Sequence, residues 1–256
     1  GSLTLAFNIQ LGKADWTWTE TIYIRADGSV DPDTAPISTV DNVTYTFTEN
    51  IYDEIVLERS NLIVDGKGYT LQGTGGGEGF YLSGISNVTI QNTNIRNFHK
   101  GIFLWRGSFI TVSRNNLISN KAYGISVIES SNNSIYCNNI KSSDYFGVAL
   151  LLSSFNTISE NNIIVNTHGV GLSDSCFNIV SGNNIKSNYE GGGLLSSSFN
   201  TISNNAINDN TYTGIGFYYS SNNNTVSRNK IEKSKAGLRI SKSSHNRIYH
   251  NNLIDL

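Results

Sequence analysis

The side chains best suited to chemistry in this chain are Asp144, His168 and Glu190. They recur at nearly one place in three successive repeats, just ahead of Gly147, Gly169 and Gly191. If each repeat is one winding of a coil, Asp144 and Glu190 lie two windings apart, with carboxyls roughly 9–10 Å from each other. That is the upper edge of the spacing for an inverting glycosidase pair, here with a histidine between. A lyase would instead use a base and a group that neutralises a substrate anion, for which His168 and Arg239 are the candidates. The plain alternative is that turns carry solvated acids.

These residues depend on the repeat that positions them. From Gly79 onward the chain repeats every 22 to 24 residues, anchored by Gly79, Gly101, Gly124, Gly147, Gly169, Gly191, Gly214 and Gly237. A fixed period of this size predicts stacked windings with nearest-neighbour contacts, not a globule with a separate core. Three aliphatic columns recur within it. One holds Leu104, Val127, Leu150 and Leu172; the next Val112, Ile135, Ile158 and Val180; the third Leu117, Ile140, Ile163 and Ile185. Side chains alternate along a strand, so three inward columns imply three parallel strands per winding. The prediction is an all-β chain: a single-stranded parallel β-helix of three sheets and about 9 to 10 coils, with an N-terminal cap. Each fully buried aliphatic contributes roughly 1.5–3 kcal/mol.

Asn115, Asn138, Asn161, Asn183, Asn205, Asn229 and Asn251 also fall in register. They predict an amide ladder, structural in role, in which asparagine also suits left-handed turns. Ser131, Ser154, Ser198, Ser221 and Ser244 are expected to form a second inward column, with Cys176 in the same place. Cys137 is expected to be exposed and unpaired. Phe155, Phe177 and Phe199 are expected to stack beside the serines.

The outward residues of the first strand suggest where a ligand could lie. Ser126, Ala149, Gly171, Gly193 and Gly216 are small, while Tyr81 and Phe103 precede them and Arg239 follows. This predicts a trough about four coils, or roughly 19 Å, long. Aromatic walls suit the C–H faces of sugar rings. The candidate binding residues are Tyr81, Phe103, Trp105, Asp174, Tyr212, Tyr218 and Arg239. A surface on which a loop or neighbouring chain packs is the competing reading.

Composition narrows the classes. Formal net charge is −2, from 18 basic and 20 acidic residues, and only 15% of residues are charged. That argues against a nucleic-acid binder with a basic stripe, and no apolar run is long enough to span a bilayer. Gly1-Ser2 resembles a cloning scar, and Leu3 to Ile9 the tail of a signal-peptide core. Gly12-Lys13-Ala14 has the form of a cleavage site, so residues 1–14 are read as a signal remnant. Residues 15–58 do not repeat and are assigned as a cap, and residues 59–256 as the β-helix. Asp27, Asp31 and Asp33 alternate at a spacing that could hold calcium, without the downstream glutamate of a complete loop; an ordinary turn is the alternative. No other metal is expected. The C-terminal coil shows no cap, so this end was either trimmed or docks on another copy or a further domain.

GISVIESSNNSIYCNNI, LSSFNTISENNI and LRISKSSHNRIYHNNL resemble the right-handed parallel β-helix repeat family. They are most similar to its NosD-like and carbohydrate-binding and sugar-hydrolysis (CASH) members, over about residues 44–256. The resemblance implies a secreted or cell-surface prokaryotic protein, bacterial or archaeal, that binds or cleaves polysaccharide. It does not bring a catalytic motif with it. His168-Gly169 has no Asp-Asp pair beside it, as polygalacturonases have, and the Asp-Pro-His-Asp motif of mannuronan epimerases is missing. Two alternatives are a non-catalytic structural or adhesive surface module and an accessory for copper insertion. Copper handling favours clusters of Met, Cys and His; the chain has no Met, and its four histidines are scattered.

Overall fold

A computed structural model describes residues 21–255 of the chain. The signal-remnant segment, residues 1–14, and the start of the expected cap lie outside the described residues. The described part contains 31 short strands and no helix. They form three sheets of 11, 11 and 9 strands, and each winding adds one strand to each sheet. In one winding these are His168–Ser173, Ile179–Ser181 and Asn184–Lys186, after which Glu190–Leu195 returns to the first sheet. All pairings along the coil are parallel and in register, for example Val148↔Val170 and Ile163↔Ile185. This is a parallel β-helix of three sheets and about nine coils.

The cap region joins the coil directly. Ile22–Ile24 pairs in parallel with Ile55–Leu57 and antiparallel with Val30–Asp31. Thr44–Phe47 pairs in parallel with Leu62–Asp65. The two antiparallel additions, Val30–Asp31 and Ile37–Ser38, sit at the ends of the first and second sheets. In those two sheets the strand edges of the first coil are therefore partnered.

The predicted aliphatic columns are the core. Leu104, Val127, Val112, Ile135, Leu117, Ile140 and Ile163 are fully buried. The same columns become exposed at Ile240, Ile248 and Leu253, beyond which no described residue packs. The anchor glycines are explained by close approach. A methyl group at Gly124 would overlap the carbonyl of Gly147 and the side chain of Ile140, and each winding repeats this relation.

Each coil turns its corners through left-handed residues. In one winding these are Glu129, Asn132, Cys137 and Ser142, with φ of 49° to 59°. A non-glycine residue there costs about 1–2 kcal/mol. The inward residue that follows compensates for it. Asn138 Oδ1 accepts hydrogen bonds from the backbone N–H and the Nδ2 of Asn115 at 2.9 and 3.2 Å. Its own Nδ2 donates to the carbonyls of Val112 and Tyr136. Backbone groups that leave the sheet ladders at the corner are thus satisfied from inside. The left-handed residue is the one before the ladder asparagine, not the asparagine itself.

Two details differ from the sequence expectation. The buried serines are Ser130, Ser153, Ser175 and Ser197, one place ahead of those expected. Ser131, Ser154, Cys176 and Ser198 are only half-buried, and Ser244 is exposed. Ser221 does belong to the buried column, because its winding carries extra residues at Tyr219–Ser220 and its Oγ accepts the N–H of Ser197. A second buried asparagine ladder, through Asn133, Asn156, Asn178, Asn200 and Asn224, lies on the neighbouring corner. The Phe155, Phe177 and Phe199 rings stack at 5.1 Å, exposed to solvent. Cys137 is exposed and both cysteines are free.

Candidate functional site

The residue immediately before each anchor glycine opens a strand of the first sheet. In register this column reads Tyr123, Phe146, His168, Glu190 and Thr213. From Tyr123 to Glu190 its side chains interact along the axis on the outer face of the sheet. Tyr123 and Phe146 stack at 5.9 Å and Phe146 and His168 at 4.6 Å. His168 Nδ1 lies 3.1 Å from Glu190 Oε2, and the Tyr218 hydroxyl donates to Glu190 Oε1 at 2.7 Å. An ionised carboxylate only accepts, so Nδ1 carries the hydrogen towards it. Nε2 has no partner among the described residues and remains free to accept. A carboxylate that orients an imidazole in this way prepares the other nitrogen as a base.

These side chains border a groove of about 470 Å³ on the outer face of the first sheet. Its floor is Ser126, Ala149, Gly171 and Gly193, four of the five members of the predicted small-residue column; the fifth, Gly216, lies under Glu190 and Tyr218. Its far wall is Ile128, Leu151, Ser173 and Leu195. The glycines leave room for partners that lean in from the rim. A methyl group at Gly171 would overlap the Phe146 ring, and one at Gly216 would overlap Glu190 and Tyr218. The trough is therefore narrower than the floor residues alone imply. It is closed at one end by the Glu190–Tyr218 bridge. Glu190 is only 6% exposed. Burial pushes the Tyr218 phenol well above its ordinary range, and the bond to Glu190 adds to the effect.

Asp144 does not join this group. Ser143 occupies the place of Asn166 in the inward column, since its N–H bonds to Asn166 Oδ1. Two residues, Asp144 and Tyr145, then precede the strand at Phe146, whereas only Thr167 precedes the strand at His168. The longer turn leaves Asp144 exposed and puts Phe146 in the register place. The expected pair of carboxyls is thus not assembled, and Glu190 is the one carboxylate lining the groove. Phe146 escaped sequence reasoning. The signal for it was the fixed place before the anchor glycine, which Asp144 lacks.

The remaining candidates are spread out. Tyr81 and Phe103 stack at 5.5 Å on coils before the groove, and the Lys100 ammonium lies 4.0 Å from the Phe103 ring centre. Trp105 is adjacent to Ile128 in register but outside the lining, with the Arg106 guanidinium 4.9 Å from its ring centre. Asp174 is exposed and accepts a bond from Ser173. Tyr212 stacks on Tyr189 at 5.0 Å, and Arg239 covers Tyr212 and Tyr218 at 5.2 and 6.0 Å from their ring centres. Of the predicted residues, only His168, Glu190 and Tyr218 line the groove. Among the expected calcium ligands, Asp27 accepts bonds from the Ser29 N–H and hydroxyl, and Asp31 pairs with Arg25. No group of three His, Cys, Asp or Glu side chains among the described residues is placed to hold a metal.

The model of the right handed beta helix region matches residues 39–197 and 100–253. This chain belongs to the right-handed β-helix family. No curated protein matches it in sequence. Solved structures similar to this β-helix include the periplasmic alginate epimerase AlgG, with a TM-score of 0.68 and 17% identity over 78% of this chain and 51% of that one. The A-module of the Azotobacter vinelandii mannuronan C-5 epimerase AlgE4 gives 0.64 and 15%, over 80% and 61%. The C387A variant of DFA-IIIase from Arthrobacter chlorophenolicus A6, in complex with DFA-III, gives 0.58 and 13%, over 79% and 55%. The chain spans about half the length of AlgG. At these identities the likeness is one of fold. No helix of the described residues is long and apolar enough to cross a membrane.

Proposed function

We propose that this β-helix is an exported glycan-binding protein whose ligand lies in the groove between the Tyr123–Phe146–His168–Glu190 rim and the Leu151–Leu195 wall. The observation that carries this reading is the groove itself: an apolar channel of about 470 Å³ with one hydrogen-bonding cluster at its end. Sugar rings have apolar C–H faces and a hydroxyl periphery, and sites of this mixed kind suit them. The stacked rings cover one another's faces, so a sugar meets ring edges on one side and Leu151 and Leu195 on the other. The carbohydrate-acting proteins named among the similar structures support the same ligand class.

Two-carboxylate hydrolysis loses its support once Asp144 lies outside the groove. Any turnover here would start from His168 as a base, oriented by Glu190, with Tyr218 as a proton donor. A copper accessory would want a cluster of Met, Cys and His ligands, and the lining holds one histidine alone.

Titration calorimetry of the chain against oligosaccharides tests the reading, with Phe146→Ala as the control. Binding that weakens about tenfold or more in the variant supports it. Glycan binding unchanged in Phe146→Ala removes the groove as the site.

A further inference from the structure

The charge of the ligand can be read from the groove, on the footing that a glycan binds there. The polar members of the lining are serines, tyrosines (Tyr218 and Tyr219 at its end), His168 and Glu190, and it holds neither lysine nor arginine. The one carboxyl group in the lining is that of Glu190, which is buried at the end of the groove. Its two oxygens are held by Tyr218 and His168. No cation among the described residues forms an ion pair with it other than the histidine.

Of the nearest cations, two are paired with carboxylates outside the groove and two stand on the coil beyond its end. Lys100 pairs with Glu78 at 2.9 Å and covers Phe103, outside the groove. Arg106 pairs with Glu129 at 2.8 Å. Arg239 lies over Tyr212 and Tyr218, and the Lys242 ammonium lies 4.8 Å from the Tyr219 ring centre; both belong to the coil after the Glu190–Tyr218 bridge, and neither lines the groove. A uronate chain brings one carboxylate per sugar and needs a cation opposite each buried one. In this groove those carboxylates would be desolvated against leucines, with the acidic Glu190 at the end and no cation facing them from the lining. A neutral sugar meets no such penalty. Its hydroxyls can donate to Glu190 or His168 Nε2 and accept from the serine and tyrosine hydroxyls.

We infer that the groove selects an uncharged glycan and rejects polyuronates. The chain would therefore differ in ligand charge from the alginate and mannuronan epimerases that share its fold.

The test is calorimetry of the full chain at low salt against matched-length oligomers. Cello-, manno- and xylo-oligosaccharides form the neutral set, and mannuronate and guluronate oligomers the acidic set. At least one neutral oligomer is expected to bind about tenfold or more tightly than every uronate. The gap is expected to narrow in Glu190→Gln and at high salt, where like-charge repulsion is removed or screened. Uronate binding equal to or tighter than neutral binding, and sensitive to Phe146→Ala, overturns the charge inference while the glycan site stands. Absence of binding in both sets overturns both. A neutral preference insensitive to Phe146→Ala places the ligand elsewhere and also overturns the inference.

Discussion

The Tyr218 hydroxyl donates a 2.7 Å hydrogen bond to the Glu190 carboxylate across two adjacent strands, although the residues are 28 positions apart in the chain. Glu190 is opposite Thr213 and Tyr218 opposite Leu195, so the bond runs diagonally over Gly216. Only a residue without a side chain at that crossing permits it.

This bond has a signature in alkaline titration. Burial, then the Glu190 bond, holds the Tyr218 phenol above its usual value, so it stays protonated to higher pH than a free phenol. Tyr45 is raised too, by burial. A folded-state value above the unfolded one means that the stabilisation is complete below about pH 10 and is lost as pH rises further. Absorbance titration is expected to show a late-ionising fraction that shrinks in Tyr218→Phe. A titration curve identical in the two proteins would contradict the buried bond.

Two glycines of one strand, two residues apart, should differ in their response to a methyl group. In Gly169→Ala the new carbon meets the Gly191 carbonyl and Ile185, neither of which can move without parting two coils. A loss of about 2–4 kcal/mol is expected in urea unfolding. In Gly171→Ala it meets only the Phe146 ring, which can swing into the groove. Stability should change by about 1 kcal/mol or less while oligosaccharide affinity falls. Equal destabilisation by both changes would argue against the packing described.

The asparagine ladder is open to direct measurement at Asn183. Its Oδ1 accepts from Asn161 N–H and Nδ2 at 2.9 and 3.0 Å, and its Nδ2 donates to Ile158, Ser181 and Asn205. Asn183→Ala leaves a buried N–H and carbonyl unpaired, at about 1–3 kcal/mol each. Urea unfolding should move to lower concentration by a matching amount. Hydrogen exchange should rise most at Asn161 and its neighbouring coil.

Acid sensitivity is expected at Asp65. Burial opposes its ionisation, but the Lys67 N–H, Asn92 and Gln91 bond to the carboxylate and Lys67 adds charge, so the group sits below its ordinary range. A depressed folded-state value gives stability that is present above about pH 4 and is lost as pH falls further. Asp65→Asn should be less stable near neutrality, with a flatter stability profile below pH 4. A profile parallel to the parent chain would assign the acid response to other groups.

The coil was legible in the sequence because each column carries one residue class. Ile135, Ile158 and Val180 share a spacing that only stacked parallel strands explain, and the structure puts all three inside. Corner geometry was harder to read. Ser130 and Ser131 are chemically alike, and which one turns inward is set by the left-handed residue ahead of them, Glu129. The groove was half legible. The small floor residues stand out, but a floor of glycine can mean open space or room for a neighbour. At Gly171 and Gly216 it is partly the latter. Asp144 looked equivalent to His168 because both precede a glycine closely; hydrogen-bond register separates them by one turn residue.

That extra residue has an evolutionary consequence. The inward ladders re-establish alignment on every winding, so a turn can gain or lose a single position without disturbing the strands on either side. A one-codon insertion or deletion ahead of a first-sheet strand would then exchange the group presented to the ligand, leaving the core untouched. Diversification of binding in such a coil can proceed through changes in spacer length as readily as through point substitution.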